Sequence, residues 1–410
     1  AQVLRAAGIR FGVVPGVTAG VGATAYAGVP ITHRADASAV AFVTGHDDPA
    51  ASRLDWSALA RFPGTLVIYM GMSRLPRITQ TLIELGKPAD TPALVIQRGA
   101  TARQRVVAAT LATIASDSAA AGLGPPALLV VGDVVRHRHA LNWFEELPLF
   151  GRSIVITRPD GESDAAALAL EALGAEVLTA PTVRILPLDR AQTQCLDQLL
   201  AEVESFDWVV FTSANGVRAM LGHLERIGKD LRALGRARLA AIGPTTADAL
   251  KAVHLRADLI PERFDSDSLA EALAREVVGR SVLLARADRG RDLLRERLRP
   301  LARRVEQAAV YRNADADQLP ALVVERLVDG TVDWITLTSS AITQRLHALL
   351  PETVQSTIGD RIKLASLSPI TSATARALGW TIHAEASVFT WDGLIQAILQ
   401  AEGQPELPNP

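Results

Sequence analysis

Cysteine is almost absent from this chain of 410 residues, which contains only Cys195. A single cysteine excludes an intramolecular disulfide and a metal site built from thiolates, and it is typical of proteins in a reducing compartment. Long apolar runs are also missing, since none approaches the roughly 18 residues that a membrane helix requires. No charged segment followed by an apolar stretch, as in a signal peptide, opens the sequence. We therefore expect a cytoplasmic protein that has no membrane partner.

An excess of basic charge is missing as well. The chain has 42 Lys and Arg against 44 Asp and Glu, which gives a formal net charge of -2. Because nucleic acids and anionic membranes are bound by positive surfaces, neither is expected as a partner. A small molecule with several negative charges remains compatible, since local sites would suffice to bind it. The length allows two or three domains, and the hydrophobic content of 49% is that of an ordinary globular protein.

Two similar segments organise the second half of the chain. Residues 207–217 read DWVVFTSANGV, and residues 333–343 read DWITLTSSAIT. In each, Asp-Trp precedes apolar or β-branched residues, and a Thr-Ser step then begins a stretch with helical spacing. The pattern predicts a buried strand that leads into a helix N-terminus, where unpaired N–H groups and the helix dipole favour an anion. Two copies predict two facing anion-binding edges.

Further segments repeat in the same order. GRSIVITR (151–158) matches GRSVLLAR (279–286), and RLAAIGPTT (238–246) matches KLASLSPIT (363–371). Ordered matches of this kind indicate an internal duplication of one α/β unit. Strands that alternate with helices form parallel sheets that are covered on both faces. We therefore expect two related parallel-sheet domains.

Polar side chains follow these strands directly, and ligands of parallel α/β sheets bind at that edge. They are hydroxyls with two arginines, so they would hold carboxylates by hydrogen bonds, and no nucleophile with its own base is evident. Each has a structural alternative, because Ser or Thr after a strand is often only a helix N-cap and the arginines are explained equally well as solvated charges. The candidate substrate-binding residues are Arg158, Thr212, Ser213, Thr245, Thr246, Arg286, Thr338, Ser339, Thr371 and Ser372.

The first 146 residues alternate segments typical of strands and helices, which predicts a further α/β domain. Residues 10–14 are predicted as a strand that runs into a turn and a helix of small residues. Met70, at the end of another predicted strand, is by itself more often a core residue than a ligand contact.

Four histidines of this part are candidate metal ligands, namely His33, His46, His137 and His139. The spacing of His137 and His139 predicts two rings on one face of a strand. No third ligand has a recognisable spacing, so we do not predict a metal site.

Several motifs of the first part resemble the C-terminal half of uroporphyrinogen-III C-methyltransferases. They are PGVTAGVGATAYAGVPITHR, VTGH, LVIYMG, QRGAT with QRVV, and PALLVVGDVV followed by LNWFE, in the family's order. The resemblance implies that Thr18, Ala19, Met70 and Gly99 contact S-adenosylmethionine, and it implies a homodimer through this part. It also implies that the family's Gly-rich loop and acid/base residues belong to an N-terminal half that this sequence lacks. Methylation of uroporphyrinogen III is therefore expected of the parent protein and not of the chain as given.

Motifs from residue 151 onward resemble uroporphyrinogen-III synthases. They are ITRP, FTSANGV, AIGPTTADAL, VYRN, LTSSAIT, SPITSATARALGW and DGLIQAI. The resemblance implies two duplicated parallel-sheet α/β domains joined by a two-stranded linker, behind a truncated tetrapyrrole-methylase α/β domain. The implied boundaries are 1–146 for the methyltransferase part, 147–150 for a connector, 151–181 with 315–403 for the first synthase domain, 189–306 for the second, 182–188 and 307–314 for the linker strands, and 404–410 for a disordered tail.

The second resemblance implies closure of hydroxymethylbilane to uroporphyrinogen III with inversion of ring D, without a cofactor. Because the bilane also closes unaided to the I isomer, the main task would be to orient the chain ends. Tyr311, in the VYRN motif, matches the family's candidate proton donor to the leaving hydroxyl, and a neutral phenol can donate at pH 7. An amphipathic tyrosine that only packs on the linker explains this position equally well. The alternative from another class is a two-lobed protein that binds a small molecule without changing it.

Overall fold

A computed structural model describes residues 1–158, 164–290 and 292–405 of the chain. The described chain divides into two compact units. The first contains residues 1–157, 164–180 and 320–405, and the second contains Arg158 and residues 181–319 apart from position 291. Of the predicted disordered tail, residues 406–410 lie outside the described residues.

The first sheet lies in the first unit and has the strand order β1-β2-β5-β3-β4. Its strands are β1 (Val40–Thr44), β2 (Thr65–Tyr69), β3 (Pro92–Gln97), β4 (Arg105–Thr110) and β5 (Ala127–Val131). β1 runs parallel to β2, and the other neighbouring strands are antiparallel. The interior strands are continuous apolar runs because both of their faces are buried.

The helices of this part are short, and several begin where a strand ends. They are α1 (Gln2–Ala6), α2 (Ala19–Tyr26), α3 (Trp56–Ala60), α4 (Leu75–Glu84), α5 (Ile114–Ala120) and α6 (Arg138–Leu141), with 3-10 helices at Met72–Arg74 and Asp133–His137. The predicted strand at residues 10–14 is wrong, because this segment pairs with no described strand and Val13 and Val14 are 79% and 93% exposed.

Two further sheets are built from the duplicated half. Their strands are β6 (Ser153–Ile156), β7 (Glu176–Thr179), β8 (Val183–Leu186), β9 (Trp208–Phe211), β10 (Arg238–Ala241), β11 (Ser281–Ala287), β12 (Arg304–Asp315), β13 (Trp334–Leu337), β14 (Lys363–Ser366) and β15 (Ala384–Glu385). The second sheet, in the second unit, has the order β10-β9-β11-β12-β8, and the third sheet, in the first unit, has the order β15-β14-β13-β6-β7. Apart from β8, neighbouring strands are parallel, as the duplication predicts.

Helices connect these strands in both sheets. They are α7 (Asp164–Ala172), α8 (Arg190–Ala201), α9 (Ala214–Arg226), α10 (Pro244–Lys251), α11 (Ser266–Ala274), α12 (Leu293–Leu298), α13 (Ala321–Val328), α14 (Ser340–Leu349), α15 (Glu352–Gln355), α16 (Pro369–Ala377) and α17 (Trp391–Ala401), with 3-10 helices at Val203–Ser205 and Leu231–Leu234. None of the helices that the structure describes combines the length and the apolar character needed to cross a membrane.

Each of the two sheets takes three strands from one repeat and two from the other. In the second sheet β10 and β9 of the first repeat lie beside β11 and β12 of the second. In the third sheet β14 and β13 of the second repeat lie beside β6 and β7 of the first. The repeats are therefore interlaced, and corresponding strands occupy corresponding places.

The Asp of each Asp-Trp pair holds the two repeats together at this junction. The carboxylate of Asp207 accepts a hydrogen bond from the Ser281 N–H at 2.8 Å, and that of Asp333 accepts one from the Ser153 N–H at 2.8 Å. The following Trp208 and Trp334 are 2% and 0% exposed, because both strands are interior. A motif that predicts a strand thus also fixes where that strand meets its neighbour.

The last strand of the second sheet changes partners along its length. β12 pairs with β11 in parallel up to Tyr311, and residues 312–315 then pair antiparallel with β8. The register shifts between Arg286 and Ala287, where β11 ends. Tyr311 therefore lies where two pairing patterns meet. β8 and β12 overlap the predicted linker strands 182–188 and 307–314, and the division into domains that these would join stays a prediction.

Candidate functional site

Tyr311 and Ser213 meet at one strand edge of the second unit. Ser213 is the N-cap of α9, and its Oγ accepts a hydrogen bond from the Gly216 N–H at 2.9 Å. The Tyr311 hydroxyl lies 3.1 Å from the same Oγ, and Tyr311 is 8% exposed. A Cβ at Gly216 would lie 3.2 Å from Ser213 Oγ and 3.3 Å from the Ala285 carbonyl oxygen, so glycine keeps this corner open. The arrangement places a phenol beside a helix N-terminus, whose N–H groups can donate hydrogen bonds to an anion.

Arg286 lies at the end of β11 and is 8% exposed. Its guanidinium lies 3.3 Å from Gln307 Oε1 and 3.7 Å from Asp292 Oδ1. The alternative of a solvated charge is therefore wrong for this arginine. Thr212, between β9 and Ser213, is half-buried.

The other candidates of the second unit differ in exposure. Thr245 is exposed in the first turn of α10, whereas Thr246 is 3% exposed and its N–H donates to the Gly243 carbonyl at 3.2 Å. Arg158 is half-buried after β6. Of this group Thr245 is the side chain that solvent reaches most readily.

The first unit carries the repeat-related edge at Thr338 and Ser339. Ser339 is the N-cap of α14, and its Oγ accepts from the Ile342 N–H at 3.3 Å. Thr338 is 7% exposed, and its Oγ1 has no hydrogen-bond partner among the described residues. A buried hydroxyl without a partner is costly, so this atom is suited to receive a ligand group.

Thr371 and Ser372 follow β14 and are 2% and 0% exposed. Thr371 Oγ1 lies 3.0 Å from Ser368 Oγ, the N-cap of α16. Ser372 Oγ lies 2.5 Å from Ser366 Oγ and also donates to the Glu385 carboxylate. Both hydroxyls bond within the protein, and their role as substrate ligands stays a prediction. Sequence reasoning missed Glu385, because no motif links β15 to this turn.

The first unit also contains a cavity of about 880 Å³ beside the first sheet. Three of the four predicted S-adenosylmethionine contacts, Ala19, Met70 and Gly99, line it. Thr18 adjoins it, since its Oγ1 lies 2.5 Å from the hydroxyl of Tyr69, another lining residue. The structure therefore brings together four residues that lie far apart in the sequence.

The backbone around this cavity is strained at two strand ends. Met70, Arg98 and Ala100 have φ values of 54°, 50° and 60°, which non-glycine residues adopt at a cost. A Cβ at Gly99 would lie 2.3 Å from the Cβ of Ala23, so only glycine fits. Strain of this kind is concentrated at ligand sites.

Sequence reasoning missed two kinds of lining residue. Tyr69 precedes Met70 at the same strand end, and its position alone could have identified it. Arg103 and Glu176, which form an ion pair of 3.0 Å, also line the cavity, but they lie in different motifs and nothing in the sequence connects them.

The chain combines mixed and parallel sheets with hydroxyl-rich strand ends and a cavity. These features define a two-part α/β protein of the class that binds small molecules. A family model described as "Uroporphyrinogen-III synthase HemD" matches residues 164–396, and one described as "Tetrapyrrole (Corrin/Porphyrin) Methylases" matches residues 1–115. The porphyrin biosynthesis protein HemD of Ruminiclostridium josui is 31% identical over 346 residues, which are 84% of this chain and 68% of that protein. The chain therefore belongs to the uroporphyrinogen-III synthase family and carries a tetrapyrrole-methylase part before it, which confirms both predicted resemblances.

Other relatives match a smaller share of the chain. The siroheme synthase of Stutzerimonas stutzeri (strain A1501) is 50% identical over 151 residues, which are 37% of this chain and 32% of that protein. The solved uroporphyrin-III C-methyl transferase of Thermus thermophilus, complexed with S-adenyl homocysteine, is 36% identical over 33% of this chain and 58% of its own, with a TM-score of 0.28. The chain thus spans about a third of the siroheme synthase and 68% of the HemD relative.

Proposed function

We propose that residues 151–403 convert hydroxymethylbilane to uroporphyrinogen III, with inversion of ring D, in the cytoplasm. The observation that carries the proposal is the Tyr311 hydroxyl, 3.1 Å from Ser213 Oγ at the N-terminus of α9. A phenol held beside helix N–H groups can protonate the terminal hydroxyl of the bilane, which then leaves as water. The resulting azafulvene is attacked by the substituted end of ring D, and the spiro intermediate fragments and recombines to the III isomer.

Binding of the substrate's acetate and propionate groups is the second requirement. Helix N-termini and hydroxyl groups bind carboxylates through charge-assisted hydrogen bonds. Ser213 and Thr212 supply such groups in the second unit, and the unpaired Thr338 Oγ1 supports the same role for the repeat-related edge of the first unit. Since the bilane closes unaided to the I isomer, orientation of its ends decides the product.

The proposal is tested by the isomer that forms. The full chain is incubated with freshly prepared hydroxymethylbilane, the product is oxidised, and the I and III porphyrins are separated. We expect the III isomer to predominate, and heat-denatured protein should give the I isomer alone. A chain that binds the bilane yet yields only the I isomer at the unassisted rate would instead be a binding protein.

For the first unit we infer a second activity, binding of S-adenosylmethionine in the cavity lined by Ala19, Met70 and Gly99. The size of the cavity, about 880 Å³, and the convergence of the family-matched residues on it support the inference. Methylation of uroporphyrinogen III by the parent protein and a homodimer through this part remain predictions from the resemblance.

Cofactor binding is tested with two variants of the same helix. Ala19→Leu places a larger side chain in the cavity, so calorimetric titration with S-adenosylhomocysteine should show at least a roughly tenfold weaker affinity. Ala25→Leu, at an exposed position of α2 outside the cavity lining, is the control and should bind as the parent does. Equal affinity of both variants would exclude this cavity as the site.

We also propose the domain division implied by the family. One synthase domain would contain residues 151–181 with 315–403, the other residues 189–306, and residues 182–188 and 307–314 would be the linker strands. The antiparallel pairing of β8 with residues 312–315 supports the two-stranded linker.

A further inference from the structure

Three side chains from two separate segments of the first unit converge outside the lining of the cavity. His33 and Asp36 lie in a tight turn, in which the His33 N–H donates to the Ala37 carbonyl at 2.9 Å and the Ala37 N–H donates to the His33 carbonyl at 3.0 Å. His137 is the last residue of a 3-10 helix, 101 positions after Asp36. The strand predicted for His137 and His139 is therefore wrong, and Asp36 is the third side chain that the sequence spacing did not reveal.

The donor atoms of the three side chains are close enough to share one ion. Asp36 Oδ2 lies 2.5 Å from His137 Nε2 and 2.8 Å from His33 Nδ1. One ligand atom from each residue lies within 4.8 Å of the others, and the imidazole ring centroids are 4.0 Å apart. The side chains of His33, Asp36 and His137 are 39%, 29% and 29% exposed, so solvent reaches the group.

The close approach of His33 Nδ1 to Asp36 Oδ2 favours a cation between these atoms. The Ala35 N–H donates to His33 Nδ1 at 3.3 Å, and a metal ion would replace this long hydrogen bond at the nitrogen's single lone pair. Asp36 Oδ2, only 2.8 Å away, presents another lone pair, and the two repel each other unless a cation or a proton lies between them.

The arginines around the three side chains are mostly paired. Arg136 forms an ion pair with Asp133 at 3.2 Å, and Arg138 forms one with Glu145 at 2.6 Å. Arg34, between the two ligand positions of the turn, is exposed to solvent. Positive charge near the group is thus partly neutralised, which reduces its repulsion of a metal ion.

We propose that His33, Asp36 and His137 form a binding site for a divalent transition-metal ion of the zinc class. Two imidazole nitrogens and one carboxylate oxygen are ligands that zinc takes, and water completes its coordination from the open side. The bound ion joins the turn at residues 33–37 to the 3-10 helix at Asp133–His137. Because the ligand set forms only in the folded chain, the ion stabilises the first unit.

The test measures zinc binding to the full chain. The exposed thiol of Cys195 is removed by Cys195→Ser in every sample, since a thiolate would compete for the ion. After chelator treatment, calorimetric titration with Zn²⁺ should show one equivalent bound. Asp36→Asn, which keeps the shape of the side chain, and His137→Gln, which keeps a polar side chain of similar length, should each weaken the affinity at least tenfold.

The control is a histidine that has a carboxylate neighbour but belongs to no such group. His46 Nε2 lies 3.2 Å from Asp47 Oδ1, and the described residues supply no third ligand there. His46→Gln should bind Zn²⁺ as the parent does. Thermal unfolding gives a second readout, since Zn²⁺ should raise the Tm of the parent and of His46→Gln but not that of the ligand variants.

Three results would overturn the site. They are the absence of zinc binding by the parent, unchanged affinity in folded Asp36→Asn and His137→Gln, and loss of binding in His46→Gln. Circular dichroism before each titration shows which variants are folded. If Asp36→Asn does not fold, His137→Gln decides the question by the same comparison.

Discussion

The ring and the hydroxyl group of Tyr311 have different roles. The ring belongs to the core of the second unit, while the hydroxyl lies against Ser213 Oγ. Tyr311→Phe therefore keeps the packing and removes the proton donor. We expect turnover of hydroxymethylbilane to fall about 10²-fold or more, with more I isomer because unassisted closure then competes. Isomer analysis at several enzyme concentrations measures both effects.

The matched control for this variant is Tyr26→Phe. Tyr26 packs against Trp143 and Phe144 in the first unit and belongs to no proposed site. Its loss of a hydroxyl should leave rate and isomer ratio unchanged. If Tyr311→Phe also keeps the parent rate and isomer ratio, the proton comes from another group.

Glu402 is a single residue through which the stability of the fold depends on pH. Burial raises its pKa, but hydrogen bonds from Lys363 at 2.7 Å and Trp334 at 3.0 Å, together with the charges of Arg152 and Lys363, outweigh burial and hold the pKa below its ordinary value of 4.5. A lowered pKa stabilises the fold above the unfolded-state value, and this contribution is lost as pH falls through the folded-state value.

Glu402→Gln should therefore lower the free energy of unfolding at pH 7 by about 1–3 kcal/mol. The difference from the parent should begin to shrink as pH falls below 4.5 and should disappear below the lower folded-state pKa, where the parent carboxylate is protonated as well. Urea unfolding at a series of pH values measures the difference. A destabilisation that stayed constant through the acid range would show that the charge of Glu402 is not its cause.

At the scale of the element, each Asp-Trp strand is fixed to its neighbour by one carboxylate. Asp333 accepts from the Ser153 N–H and also lies 3.4 Å from the Arg152 guanidinium. Asp333→Asn removes the charge at this junction, so we expect the free energy of unfolding to fall by about 1–3 kcal/mol. Asp207→Asn should have a similar effect in the second unit, because Asp207 has the corresponding partner Ser281.

Chemical denaturation of the full chain measures these changes. Asp329→Asn, at the exposed C-terminal end of α13, is the control and should change stability little. If Asp333→Asn and Asp329→Asn have the same effect, the strand junction does not depend on the carboxylate.

Local pattern was sufficient to predict the strand and helix at each Asp-Trp motif. Apolar runs predicted β9 and β13, and the hydroxyls after them predicted the N-caps Ser213 and Ser339, because these signals act within a few residues. The partners of Asp207 and Asp333 were not predicted, since Ser281 and Ser153 lie in the other repeat. Asp36 was likewise not predicted as a neighbour of His137, because only the folded chain brings the two residues together.

At the scale of the molecule, one carboxylate links the methylase-type part to the third sheet within the first unit. Glu176 on β7 accepts from Arg103 Nε at 3.0 Å and from Arg326 Nη2 at 2.7 Å. The Arg326 side chain is 9% exposed, so its charge depends on Glu176 for compensation. Neither the family pattern nor the repeats predicted this contact, because each describes one part of the chain alone.

Glu176→Gln removes that compensation, and we expect it to lower the free energy of unfolding by about 1–3 kcal/mol. It should also make the chain between the two parts more sensitive to limited proteolysis. Glu171→Gln, at an exposed position of α7, is the matched control. If both variants unfold and are cleaved like the parent, the two parts do not depend on this ion pair for their association.

The interlacing of the repeats sets an order for folding during synthesis. The second sheet is complete once β12 has left the ribosome, because all of its strands lie between β8 and β12. β6 and β7 are made before it, yet their neighbour β13 is made after it, and a two-stranded pair is only marginally stable alone. The nascent chain therefore carries an open strand edge while the second unit folds. This interval is the stage at which chaperone binding or intermolecular strand pairing competes with correct assembly.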